Sequence, residues 1–526
     1  MAEEQNPLER QAVQRLAAAR AWKSYWELDF KEAYFFAAPH RQRTISSMTE
    51  PAQQRLLDAP ELNTDEAFIL CGDFITEIVN AFMPEAKPWC ERGPGMDLPK
   101  DVWKQVEKAV REGDQAIFGA MKASNLYSEV AKAFNPDLAI GTVGMWIDRP
   151  HPAFPIVNSA IPLRELEINI GPYGDIDDRF AVRYTRNAYV RELVGEEIWG
   201  KIDEKFKKAI EAKPTVRTQV IWGFWRKWQE HSDECWQHVV LVGSTLVHDV
   251  EIKGEGCCPL WVGRFNPSPD WPWGLGPLIQ GLPTLRQIDE MEMALQDHFD
   301  LSLRPPTTFP SESFTNVEQG LEPGFAYPIQ PGHEGAVKKI YDVPPAQEGV
   351  YTYQDKLQKL RKLFYVDMPE QTGDTPPTLG QWLDEMARAQ RRIGTPGMPF
   401  WRDLSNIFLR YKYLLEKAGA IKPIKVNGTA VALMPRNPAQ AAAEQQELAE
   451  AARTAQILGA MFPEEFKMNV DGRKTIEEWI KKSRTSGLLQ LRGKEDIANA
   501  VDQMAKLVGG RHTAGVDESA TPGPTA

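Results

Sequence analysis

The chain has 526 residues and a mass of 59.4 kDa, enough for about three to four domains at roughly 150 residues each. Hydrophobic residues make up 42% and charged residues 25%, with a mean hydropathy of −0.43, which is the balance of an ordinary soluble protein and excludes a disordered or membrane chain. Sixty-one Lys and Arg against 73 Asp and Glu leave a formal charge of −12, so the protein does not coat nucleic acid by wholesale phosphate neutralisation, and any such contact must be local.

The opening MAEEQNPLER carries acids and no apolar core, so no secretory signal is expected. From Leu8 to Phe36 runs a helical pattern, with Val13, Leu16, Trp22 and Trp26 among Arg, Lys and Glu, stopped by Pro39. Further helices are expected over Glu66–Phe82, Asp101–Glu112 and Asn125–Phe134, the last ended by Asn135 and Pro136. The period then becomes strand-like, over Leu138–Ile147, Leu166–Ile170, Arg217–Trp228 and His238–Ile252. The last two alternate around the polar turn Glu230–Glu234 and read as an antiparallel hairpin. Nearly uncharged stretches such as Leu138–Ile147 fall far short of the roughly 20 residues that cross a bilayer.

At Trp271 the texture changes, because WPWGLGP packs two prolines and two glycines before a helical segment from Leu278 to Leu303, about 39 Å long. Pro305 and Pro306 stop it, and residues 305–349 read as a small irregular β-rich insert. A helix from Tyr351 to Tyr365 follows, so the insert is bracketed by two helices that can return antiparallel to each other. The loop MPEQTGDTPPT leads into one long helix, Thr378–Lys417, expected to kink at GTPGMP. Pro438–Met461 is strongly helical by propensity, two shorter helices are expected over Thr475–Arg484 and Lys494–Leu507, and the tail from Gly509 to Ala526 is expected to be disordered. The fold class is therefore α+β, mainly helical, with no internal repeat.

Chemistry is sparse along this chain. There is no G-x-x-x-x-G-K-[ST], so it is not itself a P-loop motor. Gly274 and Gly276 lack the third glycine and the clean preceding strand of a dinucleotide turn, and read as a tight turn feeding Pro277 as a first helical residue. Five cysteines without a C-x-x-C pair argue against a disulfide framework and favour a reducing compartment. His231, Cys235, His238, Cys257 and Cys258 offer zinc-type ligands in a spacing that fits no finger or ribbon, so no metal and no cofactor is expected. Trp222, Trp225, Trp228 and Trp236 could form a stacking platform for sugars or bases, but on strands 222 and 228 share one face while 225 points to the other, which favours a core or interface role. The carboxylate pairs Asp289 with Glu292 and Asp175 with Asp177 read as solvated faces, and no Ser or Cys nucleophile sits in a recognisable elbow, so no catalytic residue is assigned.

The bracketing helices have opposite charge. Leu278–Leu303 carries Asp289, Glu290, Glu292, Asp297 and Asp300, whereas Gln354–Lys362 carries Lys356, Lys359, Arg361 and Lys362. One reading is ion pairing between the two helices. The other is that Lys356, Lys359 and Lys362, spaced by three, expose a basic strip that recurs around a symmetric ring.

The segment WPWGLGPLIQGLPTLRQIDEMEMAL resembles the head-to-tail connector (portal) proteins of short-tailed, podovirus-like tailed bacteriophages, in which a G-x-G-P turn precedes a helix of the form aLPdIk-x-LNem. Gly274, Gly276, Pro277, Leu282, Pro283, Leu285, Ile288, Glu290 and Met291 stand at matching positions, with Asp289 in place of the usual Asn and Thr284 in place of an acid. In the same order, IGTVGMWID resembles the family's F-G-T-G strand, IPLRELEI its i-P-l-r-e-l-y-i, CCPLWVGRF its P-x-x-v-x-R-w, Pro305 and Pro306 its Pro pair, and LEPGF its l-x-P-G. The T-A-T-E-v opening of the family's long helix is kept only loosely, as Thr378 to Gln381.

Over roughly residues 10 to 500, the resemblance implies a dodecameric homo-oligomer at one capsid vertex, with double-stranded DNA passing through an axial channel during packaging and ejection. Its implied partners are the terminase packaging ATPase, a tail adaptor protein, and the major capsid and scaffold proteins, in the virion and, during assembly, the host cytoplasm, with no membrane. On that template residues 1–270 are the N-terminal helices and α/β wing, 271–304 and 350–366 the descending and ascending stem, and 305–349 the clip. Residues 367–377 are the tunnel loop, with Gln371, Thr372, Gly373, Asp374 and Thr375 facing DNA, 378–436 the wing-to-crown helix, and 437–508 the crown. Such a protein catalyses nothing, and sparse basic rings from Lys356, Lys359 and Lys362 would guide the duplex without gripping it. The competing expectations are a Trp-rich carbohydrate-active enzyme using the 222–236 cluster with an acidic pair, and another virion tail or core component.

Overall fold

The computed structural model describes residues 6–39, 41, 62–95, 99–150, 155–228, 234–243, 245–303, 307–308, 338–339, 347–366, 379–424, 426, 431–435, 438–463, 470, 475–476 and 479. The chain divides into two compact units, Met1–Ala439 and Gln440–Ala526. The architecture is mixed α+β and mainly helical. Among the described residues no helix is long and apolar enough to cross a membrane.

The first unit is built around two antiparallel sheets. The larger has the order β4 (Leu166–Ile170), β5 (Ile176–Arg186), β6 (Arg217–Arg226), β7 (Cys235–Val242) and β8 (Thr245–Lys253). The smaller has the order β3 (Val157–Ile161), β2 (Thr142–Asp148) and β9 (Leu260–Arg264). Because side chains alternate across a strand, Trp222 and Trp225 face opposite ways. Trp222 joins the main core beside Trp146 and Phe224, and Trp225 joins a second core on the other face with Phe180, Val182 and Leu241.

That second face is covered by α1 (Pro7–Ala37), which starts where Asn6 accepts a hydrogen bond from the Leu8 N–H and Pro7 takes a position needing no amide. Ala12, Leu16 and Ala19 recur at helical spacing and pack on the sheet. Seven residues after Leu16, Lys23 is buried, and its Nζ donates to the carbonyls of Arg164 and Leu166 and to Glu167 Oε1 at 3.1 Å. Burial is the largest influence on both charges, lowering the Lys23 pKa and raising that of Glu167, so the pair is held by geometry against its desolvation.

Helices fill the rest of the core. They are α2 (Glu66–Phe82), α3 (Lys100–Ala123), α4 (Leu126–Phe134), the single-turn α5 (Asp137–Ile140), α6 (Asn187–Val194), α7 (Glu196–Lys201) and α8 (Glu204–Glu211). After β9 come α9 (Pro277–Leu303), α10 (Gln347–Leu363) and α11 (Leu379–Lys417). Two short ladders complete the unit, β1 (Cys90–Pro94) with β12 (Val431–Pro435), and β10 (Thr307–Thr308) with β11 (Lys338–Lys339). The second unit begins within α12 (Pro438–Met461), whose end exposes Ile457, Leu458 and Met461.

Four expected boundaries move, three of them for a visible reason. Residues 138–140 are helical because Asp137, buried as acceptor from Tyr34 (2.6 Å) and Arg41 (3.0 Å), opens a turn that Gly141 closes before β2. The stretch 238–252 is two strands, β7 and β8, with Val242 facing Thr245 across a two-residue connection that uses Gly243 at φ 65°. The helix expected to stop at Glu112 continues to Ala123, and Gly113 lies inside it where the Arg92 guanidinium crosses on its way to Asp114. The helix expected from Tyr351 begins at Gln347. The long helix 379–417 is helical through the Gly394–Pro399 cluster. Of the helix expected over Thr475–Arg484 only residues 475, 476 and 479 are described, all helical, and the helix expected over Lys494–Leu507 and the tail lie outside the described residues.

Candidate functional site

The turn that feeds α9 is held through its own backbone groups. Gly274 N–H donates to Thr142 Oγ1 at 2.9 Å, Gly276 N–H to the Ile140 carbonyl at 2.9 Å, and Phe265 N–H to the Gly141 carbonyl at 2.9 Å. A Cβ on Gly274 would collide with the carbonyl of Gly141, and one on Gly276 with that of Ala139. The G-x-G-P pattern is therefore a close crossing of two chain segments, with no phosphate cradle. Pro277 is buried at the first helical position, Leu282 is buried, and Pro283 stands exposed inside the helix. Pro305 and Pro306 lie outside the described residues.

From this anchor α9 and α10 form an antiparallel hairpin. Gly281 faces Leu360, Gln287 faces Lys356, Glu292 faces Tyr353, and Leu295 faces Gly349. Burial along α9 is confined to Pro277–Ile288, so the half of the hairpin beyond Ile288 stands clear of the core. That half exposes Met293, Phe299, Leu301 and Leu303 on α9, and Val350 and Tyr351 on α10.

The three lysines do not form one line. At about 100° per residue, successive i, i+3 positions step by about 60° around the helix, so the strip winds across roughly 120°. Lys356 lies at the flank of the helix interface, donating to Gln287 Oε1 at 2.7 Å. Lys359 is exposed and pairs with Asp355 of its own helix, and Lys362 is exposed on the side away from Leu360. Among the described residues no ion pair joins the two helices. The α9 acids have other partners, Glu292 accepting from the Tyr353 hydroxyl and Asp289 from the Asn63 N–H, while Arg286 pairs with Glu32 of α1. The tunnel-loop residues Gln371, Thr372, Gly373, Asp374 and Thr375 lie outside the described residues.

The other chemical candidates resolve into packing. Asp175 pairs with Arg402, and Asp177 accepts from the Trp228 indole at 2.6 Å. All five cysteines are buried without disulfides, and among the described residues no group of three or more His, Cys, Asp or Glu could hold a metal ion. His231 lies outside the described residues, Cys257 and Cys258 have their thiol pKa values raised by burial, and His238 stacks on Phe224 at 4.5 Å.

Burial also pushes the His238 pKa down to about 3, with His248 as a second, smaller cause. Since the unfolded chain protonates this imidazole near pH 6.5 and the folded chain does not, the unfolded state binds the extra proton between those values. The stability it confers is complete above about pH 6.5 and is lost as pH falls toward 3. His238→Phe should make the chain less acid-labile, by up to roughly 3 kcal/mol at pH 4 relative to wild type. Urea titrations of both proteins at pH 7 and pH 4 measure the difference, and equal acid sensitivity would mean that His238 is already protonated in the fold.

Comparison with known proteins bears on what such a chain belongs to. The family model described as "Bacteriophage head to tail connecting protein" matches residues 9–483. A solved structure, "Neck of empty GTA particle computed with C6 symmetry", contains a chain similar at 12% identity and a TM-score of 0.36, over 74% of this chain and 86% of that one. Another, "Virion of native gene transfer agent (GTA) particle", contains one similar at 11% identity and a TM-score of 0.33, over 73% of this chain and 94% of that one. No curated protein matches the sequence.

Proposed function

We propose, from the premise that this chain belongs to the bacteriophage head-to-tail connecting protein family, that it is the portal subunit of a short-tailed, podovirus-like phage. As a member of that family it is a structural connector of head and tail and not an enzyme. In the proposed reading twelve copies form a ring at one capsid vertex. Double-stranded DNA is packaged and ejected through its bore, first with a terminase ATPase docked on it and then with a tail adaptor, and capsid and scaffold proteins hold its rim. Residues 271–304 and 350–366, which take in most of the α9–α10 hairpin, are the stem, residues 305–349 the clip, and residues 367–377 the tunnel loop, with Gln371 to Thr375 at the duplex. Helix α11 spans wing to crown, and the second unit is the crown.

The observation that carries this reading is the set of large apolar residues that the outer half of the hairpin leaves exposed. Phe299 is 61% and Tyr351 73% exposed, alongside Met293 and Leu303. Apolar surface gathered on a projecting element marks an interface that assembly covers. A closed ring of head-to-tail contacts covers it on every copy alike. The test is the mass and symmetry of the purified protein by native mass determination and negative-stain class averages. A ring of twelve or thirteen copies with a central hole, near twelve or thirteen times 59.4 kDa, supports the portal reading. A chain that stays monomeric even with scaffold and capsid proteins added rejects it and leaves another component of the head-to-tail junction.

The channel role of the lysines has its own test. Replacing Lys356, Lys359 and Lys362 together with Gln should change stability by less than about 1 kcal/mol, because the ion pair lost among the described residues is the exposed one with Asp355. Ring formation should persist while DNA retention falls. Unchanged packaging and retention would remove these residues from the bore.

A further inference from the structure

A cavity of about 410 Å³ lies between the two sheets, closed on its third side by the corner joining α6 to α7. Its volume is within the range of small-ligand sites, and most of its wall is aliphatic or aromatic. Trp146 of β2 and Trp222 of β6 both line it, with ring centroids 5.9 Å apart and planes at 62°. The polar groups on the wall are few. Arg183 is already engaged, its Nε donating to Glu165 Oε2 at 3.0 Å, and Asp148 accepts from Arg410 at 3.0 Å. Glu192 is exposed at the mouth, and among the described residues nothing pairs with it. His238 presents no competing charge, because burial keeps its imidazole neutral.

Aromatic faces attract cations, and an unpaired carboxylate beside them does the same. With the one lining guanidinium neutralised by Glu165, the wall has a net preference for positive charge. We propose that this cavity binds an organic cation with an apolar body, an alkyl- or arylammonium or a guanidinium, its body packed against the wall that Trp146 and Trp222 form together and its charge toward Glu192. The site does not depend on ring assembly or on a channel, and stands or falls apart from the portal reading.

Calorimetric titration of the purified chain with 2-phenylethylamine, 2-phenylethanol and 3-phenylpropionate separates charge from shape. The amine should bind at one saturable site, the alcohol roughly tenfold more weakly and the carboxylate not at all. Glu192→Gln should weaken the amine roughly tenfold and leave the alcohol unchanged. Val157→Trp, made at a lining position that is 42% exposed and so tolerant of bulk, should abolish binding of both. Ser159→Phe serves the same purpose if the first variant melts below wild type. Equal affinity for amine and alcohol, no saturable binding of the amine, or amine binding untouched by a folded blocking variant would each overturn the proposal. Spermidine and the dipeptide amide Phe-Arg then distinguish the source: tighter binding of the dipeptide indicates a partner protein's side chain, and tighter binding of spermidine a free polyamine.

Discussion

Arg410→Met should destabilise the chain by roughly 3–5 kcal/mol, the cost of taking the charged donor away from two buried carbonyls. Arg410 is 5% exposed on α11, and its guanidinium donates to the Ile147 carbonyl at 2.9 Å, the Cys257 carbonyl at 2.6 Å and Asp148 Oδ1 at 3.0 Å. Burial lowers its pKa and the Asp148 charge opposes that, and the group stays a cation because a guanidinium gives up its proton only far above neutral pH. Met fills the stem's volume but leaves these acceptors without donors, so packing alone does not rescue the variant. Arg402→Met is the matching control. Arg402 is 71% exposed and pairs with Asp175 at the surface, so its loss should cost less than about 1 kcal/mol. Urea unfolding of both variants measures the contrast, and equal effects would show that water replaces the Arg410 guanidinium.

Gly141→Ala should cost roughly 3 kcal/mol or more, because strain and overlap act on one atom. Gly141 has φ 134°, which L side chains rarely adopt, and a Cβ there would collide with the Gly274 carbonyl and crowd the Gly276 nitrogen, backbone atoms that cannot rotate away. The chain can accommodate the methyl only by opening the crossing that anchors α9. Gly419→Ala separates the two causes, since Gly419 has φ 71° with open space around its Cβ direction and should show only the conformational part, about 1 kcal/mol. Thermal melts compare them. Limited proteolysis of Gly141→Ala should also cut earlier near the Trp271–Pro277 turn, and an unchanged pattern would mean the crossing does not fix the hairpin.

The elements most legible in the amino-acid sequence were those where one periodicity runs between clear stops. Glu66–Phe82, Leu166–Ile170 and Pro438–Met461 have the expected bounds, and α9 begins at Pro277, one residue before the expected start. Local pattern fails where a long-range contact decides. Gly113 reads as a helix end, yet it marks the place where Arg92 passes. Alternation continues across Gly243, so two strands read as one. The opposite charges of the hairpin suggested pairing, but which face of each helix turns inward is set by Leu285, Ile288, Leu360 and Phe364, and the acids found Asn63 and Tyr353. The cavity beside Trp222 had no signal, because its walls come from strands and a helical corner far apart in the chain. Arg410 likewise reads as one more surface charge on a helix until β2 and the segment before β9 are packed against it.

The ladder of β1 with β12 joins residues 90–94 to residues 431–435, just before the boundary between the two units. Tension drawn along the backbone from residue 440 therefore meets that ladder before it reaches α11, and loads first the end where Pro435 faces Cys90.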